Sequence, residues 1–120
     1  MKISILIPLS NNYPHYEKAI ISLINQTYKN IEILICLNGN SKKFNKIIKK
    51  KFFNYSYIKF YYLKKSNIVK ALNLLIDKSK GSYIARMDAD DISHPDRLYK
   101  QIEYIKKKKT YISVNQWRGC

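Results

Sequence analysis

Acidic side chains are crowded into one short stretch of an otherwise basic chain. The sequence has 23 Lys and Arg against 8 Asp and Glu, yet four of those acids fall within nine residues: Asp88, Asp90, Asp91 and Asp96. Two such charges about 5 Å apart at an effective dielectric of about 20 repel by roughly 3 kcal/mol. The stretch therefore needs a cation, either a lysine or a divalent metal, which proteins hold with carboxylates plus substrate phosphates.

Two interpretations of this acidic stretch stay open at this point. Asp90 and Asp91 also suit a turn before a helix, because Asp side chains accept hydrogen bonds from nearby backbone amides. Several other motifs are excluded. Ile92 and Ser93 stand where an EF-hand loop needs Asp or Asn and then Gly. With only three widely spaced glycines, the chain contains neither a P-loop nor a dinucleotide-binding fingerprint.

Composition limits the class of protein and its partners. A net charge of +15 predicts attraction to polyanions such as nucleic acid, anionic lipid or nucleotides, but does not indicate a fold. Cys36 and Cys120 provide neither a disulfide framework nor zinc-ligand spacing, so we expect a reducing, cytoplasmic compartment. No apolar run approaches the length of about 18 residues that a spanning helix needs. The first ten residues are predicted to form a strand rather than a signal peptide.

Short apolar runs alternate with segments whose apolar residues recur at helical spacing. Strands are predicted at 3–9, 31–37, 57–63 and 83–85. After a loop at 11–14, a first helix is expected to end near Thr27. The next helices should begin at Ser41, at Ser66 or Asn67 with a left-handed cap at Gly81, and near Ser93, where Asp96 would complete a capping box. This alternation predicts an α/β fold, a Rossmann-like parallel sheet covered by helices.

The strand ends place the candidate residues at one edge of that sheet. In such folds ligands bind outside the carboxyl ends of the strands. The residues at the carboxyl ends of the first, second and fourth strands are therefore predicted to form one site: Pro8, Leu9, Ser10, Asn38, Asp88, Ala89 and Asp90.

With these residues in place, the chain resembles the amino-terminal half of family 2 inverting glycosyltransferases of the GT-A fold, over about residues 3–105. The resemblance is carried by ILIP at 5–8, SLINQTY at 22–28, EILI at 32–35, ALN at 71–73 and KGSYIARMDADD at 80–91, with Pro95, Arg97 and Gln101. It implies a GT-A nucleotide-sugar-binding half at 1–105. Residues 106–120 would form a basic tail, either an extra strand or disordered.

The resemblance also implies a function. A sugar would be transferred from a nucleotide diphosphate donor, most often UDP-linked, to a saccharide or lipid-linked acceptor in surface polysaccharide synthesis. Asp88 would approach the donor ribose and Asp90 would hold Mn²⁺ or Mg²⁺, with both carboxylates at the metal. Such a metal neutralises charge on the departing diphosphate. The backbone of residues 8–10 and the loop at Asn38 would bracket the base, with Ala89 beside the donor. Arg86 would either bond a phosphate or pair with Asp88 or Asp91.

Several positions depart from the family pattern. Ser10 stands where the family usually has Tyr, and Leu37 where it usually has Asp. No residue after Asp91 resembles the carboxylate that deprotonates the acceptor hydroxyl, which must lie within hydrogen-bond reach of that proton. We therefore expect a truncated or split hexosyltransferase with a donor-side half-site. No catalytic residue is assigned, and whether the chain alone is an enzyme stays open.

A second class of function remains as the alternative. The lysines at 42–51 and 106–109 would suit a basic, non-enzymatic module that binds nucleic acid or anionic membrane, with an affinity that falls steeply with salt. In the glycosyltransferase interpretation most of these lysines form a solvated helix face. They would then support at most peripheral contact with the inner face of a membrane, and nucleic acid is not an expected partner.

Overall fold

A computed structural model describes residues 1–10, 15–89 and 92–108. Within these ranges, four strands alternate with four helices, as the sequence predicts. They are β1 (Ile3–Leu9), α1 (Tyr16–Ile24), β2 (Ile31–Asn38), α2 (Lys42–Phe52), β3 (Ile58–Leu63), α3 (Ile68–Lys78), β4 (Tyr83–Arg86) and α4 (Arg97–Lys108). In that described part of the chain, no helix has both the length and the apolar composition needed to cross a bilayer. The predicted loop at 11–14 and the end of the tail at 109–120 lie outside it.

All strand pairings are parallel, and the strand order is β3-β2-β1-β4. β1 lies in the middle, with Ile3 opposite Ile31 on one side and Tyr83 on the other. Both β1 and β2 are buried along their whole length, because helices cover both faces of the sheet, and this accounts for their continuous apolar sequences. The prediction of a parallel α/β sheet is confirmed.

Alternate residues of each central strand enter two different hydrophobic layers, as the period of two requires. On one face, Ile5 and Ile7 belong to a core completed by α1, α2 and α4. On the other face, Leu6 packs with Cys36 and with Leu75 of α3. Burial raises the pKa of Cys36 to about 11, so this thiol stays protonated in the core.

The first helix is shorter than predicted. α1 ends at Ile24 rather than near Thr27, because the next residues bond to a distant segment instead of continuing the helix. Gln26 bonds to the backbone of His94, and the backbone N–H of Thr27 donates to Pro95 O at 2.9 Å. Tertiary contacts therefore override a helical pattern that continues in the sequence.

Two capping predictions are wrong. α3 ends at Lys78 with Ser79 as its C-cap, and Gly81 does not have the positive φ of a left-handed cap. A Cβ at Gly81 would lie 2.7 Å from Ser4 N and 2.8 Å from Lys2 O, so glycine is needed there for close packing on β1. Ser93 does not cap α4, which begins at Arg97, because its hydroxyl instead points toward Met87 Sδ at 3.5 Å.

A buried carboxylate fastens the turn before β4 to the amino-terminal end of the sheet. Glu32 Oε2 accepts hydrogen bonds from Ser4 Oγ and from Lys80 N, both at 2.6 Å, and Ser4 Oγ also accepts from Gly81 N at 2.8 Å. Burial alone would raise the pKa of Glu32. The two hydrogen bonds, with the positive charges of Lys2 and Lys59, outweigh it and hold that pKa below its usual value.

We expect Glu32→Gln to lower the free energy of unfolding at pH 7 by about 2 kcal/mol, because charge-assisted hydrogen bonds are lost. A carboxylate with a depressed folded-state pKa stabilises the protein above its unfolded-state pKa and loses that contribution as the pH falls through the folded value. The difference in free energy of unfolding between variant and wild type should therefore become smaller below pH 4.5, the unperturbed pKa of a glutamate. Urea unfolding at pH 7 and at pH 3.5 measures it, and an equal difference at both pH values would contradict this account.

Candidate functional site

A cavity of about 400 Å³ opens at the carboxyl ends of β1, β2 and β4. Its size falls in the range of small-molecule binding sites. Of the residues that the structure describes, eight line it: Pro8, Ser10, Asn38, Ser66, Asn67, Ile68, Arg86 and Asp88. Five of them were predicted from the strand ends and the resemblance, so the predicted edge of the sheet does carry a cavity.

Hydrogen bonds between loops hold the wall of this cavity together. Asn40 Nδ2 donates to Leu9 O at 2.9 Å and so joins the ends of β1 and β2. Gly39 N donates to Leu63 O at 2.9 Å and joins the ends of β2 and β3. Gly39 has φ 75°, and a Cβ there would lie 2.7 Å from Ser66 N. Only glycine allows the two loops to approach this closely.

Asn38 presents a hydrogen-bond donor to a ligand. Its Oδ1 accepts from Asn67 N at 2.8 Å, and a backbone N–H can be paired only with the oxygen of an amide side chain. This contact fixes the orientation of the amide and leaves its NH₂ group as the donor. Asn38 is 7% exposed, so water has little access to its NH₂ group. A ligand that reaches this group should therefore carry a hydrogen-bond acceptor.

The first turn of α3 forms another part of the wall. Asn67 caps this helix, because its side chain accepts from Lys70 N at 3.1 Å, and Ser66 and Ile68 also line the cavity. Backbone amides of a first helical turn have no partners within the helix and carry partial positive charge. This wall therefore favours an anionic group such as a phosphate.

Arg86 and Asp88 form an ion pair at the mouth of the cavity. The distance from Arg86 Nη2 to Asp88 Oδ1 is 3.3 Å, and the side chains are 32% and 52% exposed. Pairing with Asp88 was one alternative predicted for Arg86, and a bond to a phosphate or to Asp91 stays a prediction. Exposed pairs of this kind contribute little to stability, so either partner can turn to a ligand at small cost.

Two predicted residues lie behind the cavity surface, and one lies outside the described residues. Leu9 and Ala89 are 0% and 1% exposed and do not line the cavity, so only their backbone could meet a ligand. Asp90, with Asp91, falls in the undescribed stretch 90–91, and its metal-binding role stays a prediction.

Ser66, Asn67 and Ile68 were missed as lining residues, although Asn67 was predicted to begin a helix. The signal was present in the sequence. They follow β3, and all four parallel strands end at the same edge of the sheet.

The described residues supply one carboxylate for a metal. Within 1–10, 15–89 and 92–108, no group of three or more His, Cys, Asp or Glu side chains is arranged to hold an ion. Asp88 alone fits a hard divalent cation that takes its remaining ligands from phosphate oxygens and water. The described residues therefore do not provide a preformed metal site made only of protein ligands.

Comparisons with known proteins agree with this architecture. The model of glycosyl transferase family 2 matches residues 4–120. The bifunctional glycosyltransferase pgtA of Dictyostelium discoideum is 38% identical over 109 residues, which are 84% of this chain and 14% of that protein.

Two solved structures share the fold. Residues 1–349 of Staphylococcus aureus TarS, in complex with UDP-GlcNAc, superpose with a TM-score of 0.78 at 20% identity, over 89% of this chain and 32% of that one. The mannosyltransferase PcManGT of Pyrobaculum calidifontis, in complex with GDP-Man and Mn²⁺, gives a TM-score of 0.72 at 15% identity, over 86% and 32%. The chain spans less than half the length of each of these proteins. By its match to the family model over nearly its whole length, the chain belongs to glycosyl transferase family 2.

Proposed function

We propose that the cavity binds a nucleotide diphosphate sugar, with UDP as the nucleotide, and that the chain supplies the donor-binding part of a glycosyltransferase. The observation that carries this proposal is the convergence of Asp88, Arg86 and the first turn of α3 on one cavity at the carboxyl edge of the sheet. Family membership and the fold shared with a UDP-GlcNAc complex support the choice of ligand.

The charges of the cavity suggest how a donor would be oriented. The diphosphate would lie near Arg86 and the amides at the start of α3, which both attract phosphate oxygens. The base and ribose would then lie along Pro8, Ser10 and Asn38, where the Asn38 amide can donate to a carbonyl or hydroxyl oxygen. Leu37, which stands where an acid is usual, is 0% exposed and adds no polar contact.

A divalent cation, Mn²⁺ or Mg²⁺, would be held by Asp88 and by Asp90, the second metal ligand that the resemblance implies. Bound there, it would neutralise charge that builds on the leaving nucleotide diphosphate. Asp88 would then exchange Arg86 for the cation, which frees the guanidinium for a phosphate. The Mn²⁺ in the PcManGT complex supports a metal of this kind.

The acceptor and the cellular location are further parts of the proposal. We infer a saccharide or lipid-linked acceptor in surface polysaccharide synthesis, at the cytoplasmic face of a membrane, from the family resemblance alone. The exposed lysines of α2 would favour contact with anionic lipid. Since the chain spans only part of its relatives, no residue is assigned as the base that activates the acceptor.

Asn38→Asp should weaken UDP binding about tenfold, because an acceptor replaces the donor and its charge repels the diphosphate. The carboxylate still accepts from Asn67 N, but it is nearly buried and loses hydration, so the free energy of unfolding should fall slightly. Asn38→Leu should also weaken UDP binding, and it should lower the free energy of unfolding by about 1 kcal/mol because Asn67 N is left without its acceptor. Titration calorimetry and urea unfolding measure these effects. UDP affinity unchanged in both variants would show that Asn38 does not contact the ligand.

Calorimetric titration with UDP, in the presence of Mn²⁺ and of a chelator, tests the proposal. We expect saturable one-to-one binding that is tighter with Mn²⁺ and competed by UDP-GlcNAc. Binding of UDP and of unrelated polyanions with equal affinity, abolished by moderate salt and indifferent to Mn²⁺, would favour the basic-module alternative instead.

A further inference from the structure

Gln26 is a fully buried polar side chain whose hydrogen-bonding groups are paired. It is 0% exposed and lies just after α1. Its Nε2 donates to His94 O at 2.7 Å and to Ser22 O at 3.3 Å, and its Oε1 accepts from Leu98 N at 3.1 Å. An apolar residue of the same size would leave His94 O and Leu98 N without these partners in the interior, which is costly.

These bonds attach the 93–98 segment to α1, and neighbouring residues strengthen the attachment. Ser93 N donates to Ser22 Oγ at 3.0 Å, and Thr27 N donates to Pro95 O at 2.9 Å. Because both ends of the segment are bonded, it is held against α1 along its length.

The 93–98 segment in turn contacts the residue between the two charged groups of the cavity. Ser93 Oγ donates to Met87 Sδ at 3.5 Å, and Arg97 Nη1 contacts the same sulfur and lies 3.1 Å from Ser93 Oγ. Met87 is 2% exposed, and its backbone N–H donates to Leu6 O at 2.9 Å. It is therefore enclosed between β1 and the 93–98 segment, with Arg86 before it and Asp88 after it.

We propose that Gln26 is a positioning residue for nucleotide and metal binding. It holds the 93–98 segment in the place where that segment fixes Met87, and so sets the distance and direction of Arg86 and Asp88 at the cavity. This role rests on the proposed function of the cavity. It acts through other residues, since Gln26 does not line the cavity. Directional hydrogen bonds from Gln26 fix one position of the 93–98 segment relative to α1. Apolar contacts are not directional and would allow several positions.

The test compares wild type with Gln26→Met, which keeps the volume of the side chain and removes its hydrogen bonds. We expect UDP affinity in the presence of Mn²⁺ to fall about tenfold, because displacement of Arg86 or Asp88 would weaken a contact to the ligand by about the value of one hydrogen bond. The number of sites per chain should stay at one, and the Leu98 amide should exchange faster with deuterium. Ser22→Ala, a smaller change that removes the acceptor of Ser93 N, should lower the affinity in the same direction if Gln26→Met does not fold.

Glu32→Gln is the control, because it weakens the opposite end of the sheet and should leave UDP affinity unchanged. A purely structural role of Gln26 would reduce the number of binding-competent molecules with unchanged affinity, and that result would overturn the proposal. Wild-type affinity in Gln26→Met, together with faster exchange at Leu98, would overturn it as well. If the wild type binds no UDP with or without Mn²⁺, the proposed function itself fails and this role of Gln26 fails with it, a result distinct from the other two.

Discussion

Asp88→Asn is expected to abolish most of the gain in UDP affinity that Mn²⁺ provides. The amide has the same shape as the carboxylate but no charge, and hard cations depend on charged oxygen ligands. We expect the affinity for UDP in the presence of Mn²⁺ to fall about 100-fold, equivalent to about 2.7 kcal/mol. Titration calorimetry of UDP with and without Mn²⁺ measures the effect.

The same variant should behave differently when the metal is chelated. Without a metal, the Asp88 carboxylate would repel a diphosphate bound in the cavity, and it engages Arg86 at 3.3 Å. Its neutralisation frees Arg86 for phosphate, so metal-free UDP binding should become slightly tighter rather than weaker. This opposite sign separates loss of a metal ligand from general damage to the site.

Asp96→Asn provides the matched control for this prediction. Asp96 belongs to the same acidic stretch, but it does not line the cavity and its Oδ1 accepts from Thr27 Oγ1 at 2.8 Å. We expect this variant to keep the Mn²⁺ dependence of the wild type. Equal losses in the two variants would mean that the overall negative charge of the stretch, rather than Asp88, governs binding.

Gly81→Ala is expected to have the largest effect on stability. The added methyl carbon would lie 2.6 Å from Ser4 Oγ, 2.7 Å from Ser4 N and 2.8 Å from Lys2 O. Two of these atoms belong to the backbone of β1 or the residue before it and cannot turn aside. β4 would have to move away from the central strand, so we expect the free energy of unfolding to fall by about 3 kcal/mol. Urea unfolding at pH 7 measures it.

Ser82→Ala and Ser4→Ala make this prediction specific. Ser82 is exposed, so Ser82→Ala should change stability little. Adding Ser4→Ala to Gly81→Ala removes the closest side-chain atom but leaves both backbone contacts. It also removes the hydrogen bonds of Ser4 Oγ with Glu32 and Gly81 N, so we expect no rescue. An unfolding midpoint for Gly81→Ala that equals the wild-type value would contradict the close packing of this turn.

Much of the fold could be predicted from the sequence because the relevant interactions are local or periodic. The isoleucine-rich runs of β1 and β2 indicated buried parallel strands, and Ser41 was recognised as a helix cap that does accept from Phe44 N at 3.1 Å. The caps at Gly81 and Ser93 failed for one physical reason. Each residue makes a contact between distant segments, Gly81 with β1 and Ser93 with Met87. Local sequence patterns do not predict such contacts.

The candidate site was predictable to the extent that it follows from topology. Parallel strands brought Pro8, Asn38 and Asp88 to one edge, as expected. Leu9 was predicted for its backbone at the end of β1, and its side chain lies in the core with those of Ile5 and Ile7. The position of the start of α3 against Asn38 depends on the close approach at Gly39, which sequence spacing alone does not define.

Paramagnetic relaxation by Mn²⁺ in the presence of UDP tests the central claim most directly, because the ion broadens amide signals according to their distance from it. If the cavity at the carboxyl ends of the strands holds a nucleotide diphosphate and its metal, the signals of Asp88, Arg86 and Ser10 should broaden strongly. Those of Ile31 and Ser82, at the opposite end of the sheet, should stay sharp. Uniform broadening, or broadening confined to the opposite end, would contradict the account.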